Sequence, residues 1–126
     1  MSVLGIGGLF FRARDPAALA AWYKEHLGVG AGCGTDPAEA GDQWSWAAQG
    51  GPTVFAPFPA DTDYFPADRQ WMLNLRVADL DGLIAKLTAS GIAVVTKPEW
   101  DDPNTGRFAR VTDPEGNPVE LWQPPA

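Results

Sequence analysis

Two side chains of opposite charge near the end of the chain, Arg110 and Glu120, are its clearest candidates for chemistry. A carboxylate withdrawn from water can act as a general base or bind a cationic group. Alternation along two consecutive strands predicts that both side chains lie on the same face, where they would form an ion pair. Partly buried partners need each other, or a ligand, to offset lost hydration. We expect the ion pair, and keep Glu120 as the candidate catalytic residue.

The predicted face that carries these two residues has a mixed composition. Aromatic, amide and charged groups alternate there with apolar positions that should pack under helices. Such a face on a curved sheet suggests a ligand cleft, and the alternatives are a solvated face or a dimer surface. Trp44 and Trp46, two residues apart, either line the same cleft or fill core. The candidate ligand-binding residues are Phe10, Trp44, Trp46, Met72, Asn74, Phe108, Arg110 and Trp122.

Other reactive or ligating residues give weaker signals. His26 is the single histidine and is expected to have a structural or surface role. Cys33 is the single cysteine, and no basic neighbour is visible to activate it. Four glycines over residues 28–34 are spaced like a nucleotide-binding loop, but they follow a helix where that loop follows a strand. Trp100, in a proline-containing loop over residues 97–106, is a candidate lid residue.

Composition limits the class of protein. The 126 residues are enough for one domain with a real core. The formal net charge is −7, from 9 basic and 16 acidic residues, which disfavours nucleic-acid binding and favours a cationic ligand weakly. No apolar run approaches the ~20 residues of a membrane helix, and no signal peptide is visible. A single cysteine fits a reducing compartment, so we expect a cytoplasmic protein without membrane contact.

Capping and turn signals predict the elements that position these residues. Asp15 and Asp79 should cap two helices that end at Gly28 and Gly91. The run over residues 113–117 is a strong turn signal between two strands. The predicted strands cover residues 3–12, 43–49, 53–58, 71–77, 93–96, 107–112 and 118–123.

The two halves of the chain repeat one pattern. Asp79 follows Asp15 by 64 residues, and Leu83 follows Leu19 by the same distance. Each half therefore has the order β-α-β-β-β, which predicts an α+β fold. A duplicated unit of this size buries its sheet against its copy. We expect one domain over residues 1–126, with modules at about 1–60 and 69–126 and a connector at about 60–68.

Three segments carry a family resemblance: RARDP at 12–16, RVADLD at 76–81 and DPEGNPVELW at 113–122. They resemble the glyoxalase/bleomycin-resistance/extradiol-dioxygenase superfamily, also called vicinal oxygen chelate proteins. The resemblance implies two βαβββ modules that form an incomplete barrel around a cleft, with helices on the outer face, and usually a homodimer.

The same resemblance implies a divalent metal in the family's enzymes, bound at equivalent points of both modules. In this chain the four implied ligand positions hold Gly8, Val54, Met72 and Glu120. A catalytic site for zinc, nickel or iron needs about three nitrogen or oxygen ligands. One carboxylate does not supply them, so we expect no metal and no cofactor.

Two hypotheses follow from these observations. The first is a metal-independent protein that binds a small molecule, aromatic or cationic, in an aromatic cleft. The second is a vicinal-oxygen-chelate-type enzyme, a lyase, isomerase or dioxygenase, that uses Glu120, Arg110 or Asn74 without the usual metal site. One fold of this kind hosts many chemistries, so the resemblance alone does not choose between them.

Overall fold

The computed structural model describes residues 6–29, 46 and 48–126, which fall into two compact units. One unit lies within residues 1–47 and the other covers residues 48–126. Residues 48–60, which the sequence analysis places in the first module, thus belong to the same unit as the second half of the chain. Neither unit contains, among its described residues, a helix long and apolar enough to cross a membrane.

The first unit contains helix α1, Pro16–Leu27, and the predicted capping signals explain both of its ends. The Asp15 carboxylate accepts a hydrogen bond from the Ala18 backbone N–H at 3.1 Å, and proline follows where no N–H is needed. Gly28 ends the helix in the left-handed conformation, with φ +67°. The prediction of this helix is confirmed, and its buried side chains are Leu19 and Tyr23.

The strand predicted over residues 3–12 is not observed in its described part, residues 6–12. Alternating apolar residues form a strand only where a neighbouring strand supplies hydrogen bonds and a surface to pack against. Here the large apolar side chains stay exposed, up to 88% for Phe10. Apolar residues recur along this segment, but the predicted apolar face is not buried.

The second unit contains a three-stranded open sheet and one α-helix among its described residues. Strand β1 is Leu73–Arg76, β2 is Arg107–Thr112 and β3 is Pro118–Gln123, in the order β1-β3-β2. Strand β3 lies in the centre, parallel to β1 and antiparallel to β2. Helix α2, Leu80–Ala89, follows β1, and a single 3-10 turn covers Pro98–Trp100. Together with α1 this is a small α+β fold.

One face of this sheet forms the core with α2, as the alternation predicts. Leu75, Val119 and Leu121 are buried, and so are Leu80 and Leu87 on the helix. The Asp79 carboxylate caps the helix by accepting a hydrogen bond from the Gly82 N–H at 3.1 Å. Because β3 has a neighbour on each side, its apolar residues are fully removed from water.

The β2–β3 turn is organised by Asp113, a buried carboxylate at 4% exposure. Its side chain accepts hydrogen bonds from the backbone N–H groups of Glu115 and Asn117, both at 2.9 Å, and from Asn117 Nδ2 at 2.8 Å. Gly116 takes a positive φ of 85° inside the turn. The predicted turn is confirmed, and it sets the register that places β3 beside β2.

Two further strand predictions differ from the structure. The strand predicted over 93–96 is reduced to one bridge, between Val95 and Arg110. The strand predicted over 53–58 is absent, and Val54 and Phe55 are exposed. Neither segment has both the apolar face and the continuous neighbour that a strand needs. Most of the strand predicted over 43–49 lies outside the described residues.

Candidate functional site

The face of the sheet opposite α2 carries polar and aromatic side chains in two rows across the strands. We call it the mixed face. The strand register aligns Asn74, Glu120 and Arg110 in the first row. The second row contains Arg76, Trp122 and Phe108. The structure therefore brings together five of the residues that the sequence singled out: Asn74, Phe108, Arg110, Glu120 and Trp122.

Glu120 lies at the centre of the first row and is 7% exposed. Asn74 Nδ2 donates a hydrogen bond to Glu120 Oε1 at 2.7 Å. The Tyr64 hydroxyl donates a short hydrogen bond to Oε2. Both carboxylate oxygens are thus held by neutral donors of the protein, which is how a buried carboxylate is normally accommodated.

The prediction of an ion pair between Arg110 and Glu120 is wrong, although the two residues are direct cross-strand partners. Arg110 Nη1 donates instead to the Tyr64 carbonyl oxygen at 2.8 Å. Its Cζ lies 4.9 Å from the centre of the Tyr64 ring and 5.1 Å from that of Trp100. The rings attract the cation through their negative faces, and the carbonyl fixes its position, so the guanidinium turns away from the carboxylate.

Four aromatic side chains pack around this end of the mixed face, and we call them the aromatic cluster: Phe58, Tyr64, Phe65 and Trp100. The Phe58 and Tyr64 rings are stacked with centres 5.6 Å apart, and Phe65 meets Phe58 at 5.8 Å. The Tyr64 and Trp100 rings meet edge to face at 6.3 Å. The candidate lid residue Trp100 is therefore half-buried against Tyr64 and Arg110.

Tyr64 contacts both Glu120 and Arg110, and it is not among the site residues predicted from the sequence. Tyr64 lies in the segment that the sequence describes only as a polar connector with prolines. A signal was present, because three aromatic residues within 58–65 are unusual for a chain segment that only crosses solvent. Aromatic residues in a connector between two predicted sheets indicate that the connector packs against one of them.

The second row is held by two loop segments. The Trp122 ring lies parallel to that of Phe108 with centres 6.3 Å apart, and its Nε1 donates to the Thr105 carbonyl oxygen at 2.7 Å. Gly106 allows this close approach, since its φ is +114° and a Cβ there would collide with β3. Arg76 donates to the carbonyl oxygens of Pro52 and Gln49 at 2.5 and 2.7 Å.

The remaining predicted residues lie elsewhere. Met72 is half-buried just before β1. Phe10 and Trp46, in the first unit, are 88% and 49% exposed. Trp44 and Cys33 lie outside the described residues. His26, in α1, lies beside the Trp22 ring at 5.5 Å, in agreement with a structural role.

An open cavity of about 360 Å³ lies where β2 begins and β3 ends. It is lined by Asp101, Asp102, Arg107 and residues 123–126. None of the predicted ligand-binding residues lines it. Its lining combines prolines with the charged side chains of Asp101, Asp102 and Arg107, and it is wide open to solvent, unlike the enclosed clefts in which small molecules usually bind.

Tyr64→Phe is expected to make the free energy of unfolding less sensitive to alkaline pH. Burial, and then the hydrogen bond and charge of Glu120, raise the pKa of Tyr64 to about 12, against a smaller opposing effect of Arg110. The raised pKa stabilises the fold fully below pH 10 and loses this contribution as the pH rises towards 12. Because Tyr64 is only half-buried, we expect about 1 kcal/mol rather than the ~2.7 kcal/mol of an unscreened group.

Urea unfolding at pH 8 and pH 11.5 measures this effect. The original chain should lose about 1 kcal/mol more than the Tyr64→Phe variant between the two pH values. An equal loss in both proteins would show that the pKa of Tyr64 is not raised in the folded state.

Comparison with known proteins identifies the family to which the chain belongs. A model of the glyoxalase/bleomycin resistance protein/dioxygenase superfamily matches residues 5–121, nearly the whole chain. The chain belongs to this superfamily. The crystal structure of TnmS3, an antibiotic binding protein from Streptomyces sp. CB03234, is similar to it with a TM-score of 0.60 and 27% identity, covering 98% of each chain.

A second solved structure, of a glyoxalase/bleomycin resistance protein from the same organism, is similar over a shorter stretch. It is 35% identical over 49% of this chain and 54% of that chain, with a TM-score of 0.36. No curated protein matches the sequence.

The residues of this superfamily member do not fit the metal that the resemblance implies for its enzymes. Gly8, Val54 and Met72 offer no nitrogen or oxygen side-chain ligand, and Glu120 already accepts hydrogen bonds at both oxygens. Over the described ranges 6–29, 46 and 48–126, no group of three His, Cys, Asp or Glu side chains could hold a metal ion. The donor set therefore disagrees with a catalytic site of the usual kind.

Proposed function

We propose that this superfamily member is a metal-independent protein that binds a small organic molecule against the mixed face and the aromatic cluster. The full architecture in this proposal has two βαβββ modules around one cleft, with a homodimer in the cytoplasm. The mixed face of the second unit supplies one wall of that cleft.

The hydrogen bonding of Glu120 is the observation that carries the proposal. In an enzyme of this scaffold, the buried carboxylate would be a metal ligand or a base, and each hydrogen bond that it accepts from the protein lowers its basicity and its access to a metal or a substrate proton. Here Asn74 and Tyr64 occupy both oxygens from two directions. Tyr64 keeps its proton at neutral pH because its pKa is raised to about 12, so it acts as a donor. These hydrogen bonds stabilise the Glu120 carboxylate and make it less reactive as a base.

The aromatic cluster supports binding of a flat ligand. Ring faces and edges gain dispersion and quadrupole interactions with another aromatic system. Arg110 adds a cation beside two of the rings. Small-molecule sites typically combine such apolar walls with a few fixed polar groups.

The similarity to TnmS3 gives independent support. That protein is described as an antibiotic binding protein, and the alignment covers 98% of both chains. A small organic molecule with aromatic rings fits the aromatic and polar groups of the mixed face. The enzyme alternative has no comparable support, because its candidate base is already hydrogen-bonded at both oxygens.

A panel of two- and three-ring aromatic compounds, some of them cationic, tests the proposal with the full chain after treatment with a chelator. At least one class should raise the melting temperature and quench tryptophan fluorescence, because a ligand at 100 times its Kd stabilises the fold by about 2.7 kcal/mol. Trp100→Ala should weaken this binding about 10-fold or more. The matched control is Trp71→Ala, since Trp71 is 62% exposed and lies outside the cluster.

Two results would contradict the proposal. One is a panel in which no compound changes either signal at millimolar concentration. The other is binding that appears only after a stoichiometric transition metal has been added.

A further inference from the structure

Two hydrogen-bond donors of Arg110 have no acceptor among the residues that the structure describes. Its Nε and Nη2 are buried, and no described residue accepts a hydrogen bond from either atom. No described carboxylate forms an ion pair with Arg110. A buried donor without an acceptor costs about 1–3 kcal/mol, so two of them on one side chain call for a structural or functional reason.

The two donors have a defined geometry. In a guanidinium group, Nε–H and the Nη2–H on the same side point in parallel and form one edge of a rigid fork. A group with two oxygen atoms about the same distance apart accepts both hydrogen bonds at once. Nη1, on the other side, is already fixed by the Tyr64 carbonyl oxygen. The guanidinium therefore presents its bidentate edge in a fixed direction.

We propose that this edge of Arg110 binds a carboxylate group, or an equivalent two-oxygen anion, of the ligand. The inference rests on the proposed function and names the chemical class of its ligand: an aromatic acid. The aromatic cluster binds the rings of that ligand, and Arg110 binds its acidic group. Ligand entry requires the side chains that cover the two donors to move aside, because the donors have almost no contact with solvent.

The ligand charge inferred from the structure is opposite to the one that the sequence favoured. The net charge of −7 weakly favoured a cationic ligand, and Glu120 was the group that could bind it. In the structure Glu120 has its partners within the protein, whereas Arg110 has donors to spare. A cation placed here would meet a guanidinium group with unsatisfied donors, and like charges repel.

Matched probes test the proposal on the chelator-treated full chain. The probes are 2-naphthoate, its methyl ester and 2-naphthylmethylammonium, with anthracene-2-carboxylate and its ester as a three-ring set. Tryptophan fluorescence gives the Kd of each. We expect at least one acid to bind about 10- to 100-fold more tightly than its ester, the range of charge-assisted hydrogen bonds. The ammonium compound should bind more weakly than either.

Variants assign that difference to the guanidinium edge. Arg110→Gln should remove the preference for the acid, and Arg110→Lys, which keeps the charge but not the fork, should also lose about 10-fold or more. Arg107→Gln is the matched control on the same strand, because Arg107 pairs with Asp81 of α2 at 2.8 Å and takes no part in the mixed face. Weaker binding in the control instead would place the ligand in the open cavity and overturn the inference.

The possible outcomes distinguish failure of this inference from failure of the proposed function on which it rests. Esters or cations that bind as tightly as the acids, unaffected by Arg110→Gln, would overturn the inference and leave the binding function intact. Failure of every acid, ester and cation to bind at millimolar concentration would overturn both. The comparison of acid with ester in the unaltered chain needs no variant, so a folding defect cannot hide the answer.

Discussion

Leu121→Ala is expected to lower the free energy of unfolding by about 3–4 kcal/mol, within the ~2–5 kcal/mol range for a buried leucine. Leu121 is 0% exposed in the central strand, with Leu75 and Ala109 as its cross-strand partners. Helix α2 covers this side of the sheet. Neighbours fixed by the β-ladder on both sides cannot collapse into the space that the shorter side chain leaves.

Urea unfolding followed by circular dichroism measures this effect. Val54→Ala is the control, because Val54 is 65% exposed and its truncation should cost less than about 0.5 kcal/mol. A loss below about 1 kcal/mol for Leu121→Ala would mean that β3 is not the centre of the core.

Asp113→Ala is expected to cost about 2–4 kcal/mol, because it removes a buried acceptor of three hydrogen bonds. Two of the donors are backbone N–H groups within the turn itself, which no other turn atom can satisfy. Without them the turn loses the geometry that sets the β2–β3 register. The position of Glu120 on the mixed face depends on that register.

The Asp113→Asn variant distinguishes the contribution of the turn hydrogen bonds to stability from that of the negative charge. Asparagine keeps an oxygen for the two backbone N–H groups and loses mainly the contact with Asn117 Nδ2. We expect about half of the loss seen for alanine, measured by the same urea unfolding. Equal losses for both variants would show that the negative charge, and not the turn geometry, determines stability here.

The elements that the sequence predicted correctly are those with local signals. Both helices were predicted from a capping aspartate and a terminal glycine, and the hairpin from its turn residues. Such signals act over a few residues, so no knowledge of the rest of the chain is required. The apolar face of β1, β2 and β3 followed from alternation, because a helix packs against it.

The predictions that failed depend on partners distant in sequence. The alternation over 6–12 is as regular as that over 107–112, but only the second segment has a strand beside it. The ion pair of Arg110 with Glu120 was expected from parity alone. Tyr64, 56 residues before Glu120, provides both the hydroxyl that binds the carboxylate and the ring that attracts the guanidinium.

The residues at the family's metal-ligand positions offer at most one nitrogen or oxygen ligand in this chain. Where the resemblance implies metal ligands, this chain holds Gly8, Val54 and Met72, and it retains Glu120 as a hydrogen-bonded carboxylate. The aromatic cluster then lies beside a mixed face whose carboxylate accepts hydrogen bonds from Asn74 and Tyr64. Such a site suits a protein that binds a molecule without changing it, which is the central claim of our account.

Isothermal titration calorimetry of the chelator-treated full chain tests that claim most directly. The titrant is the panel compound with the largest thermal shift, and its mass is checked after recovery from the cell. We predict saturable binding without added metal and recovery of the compound unchanged. Binding that requires one equivalent of nickel or zinc, or recovery of a converted product, would contradict it.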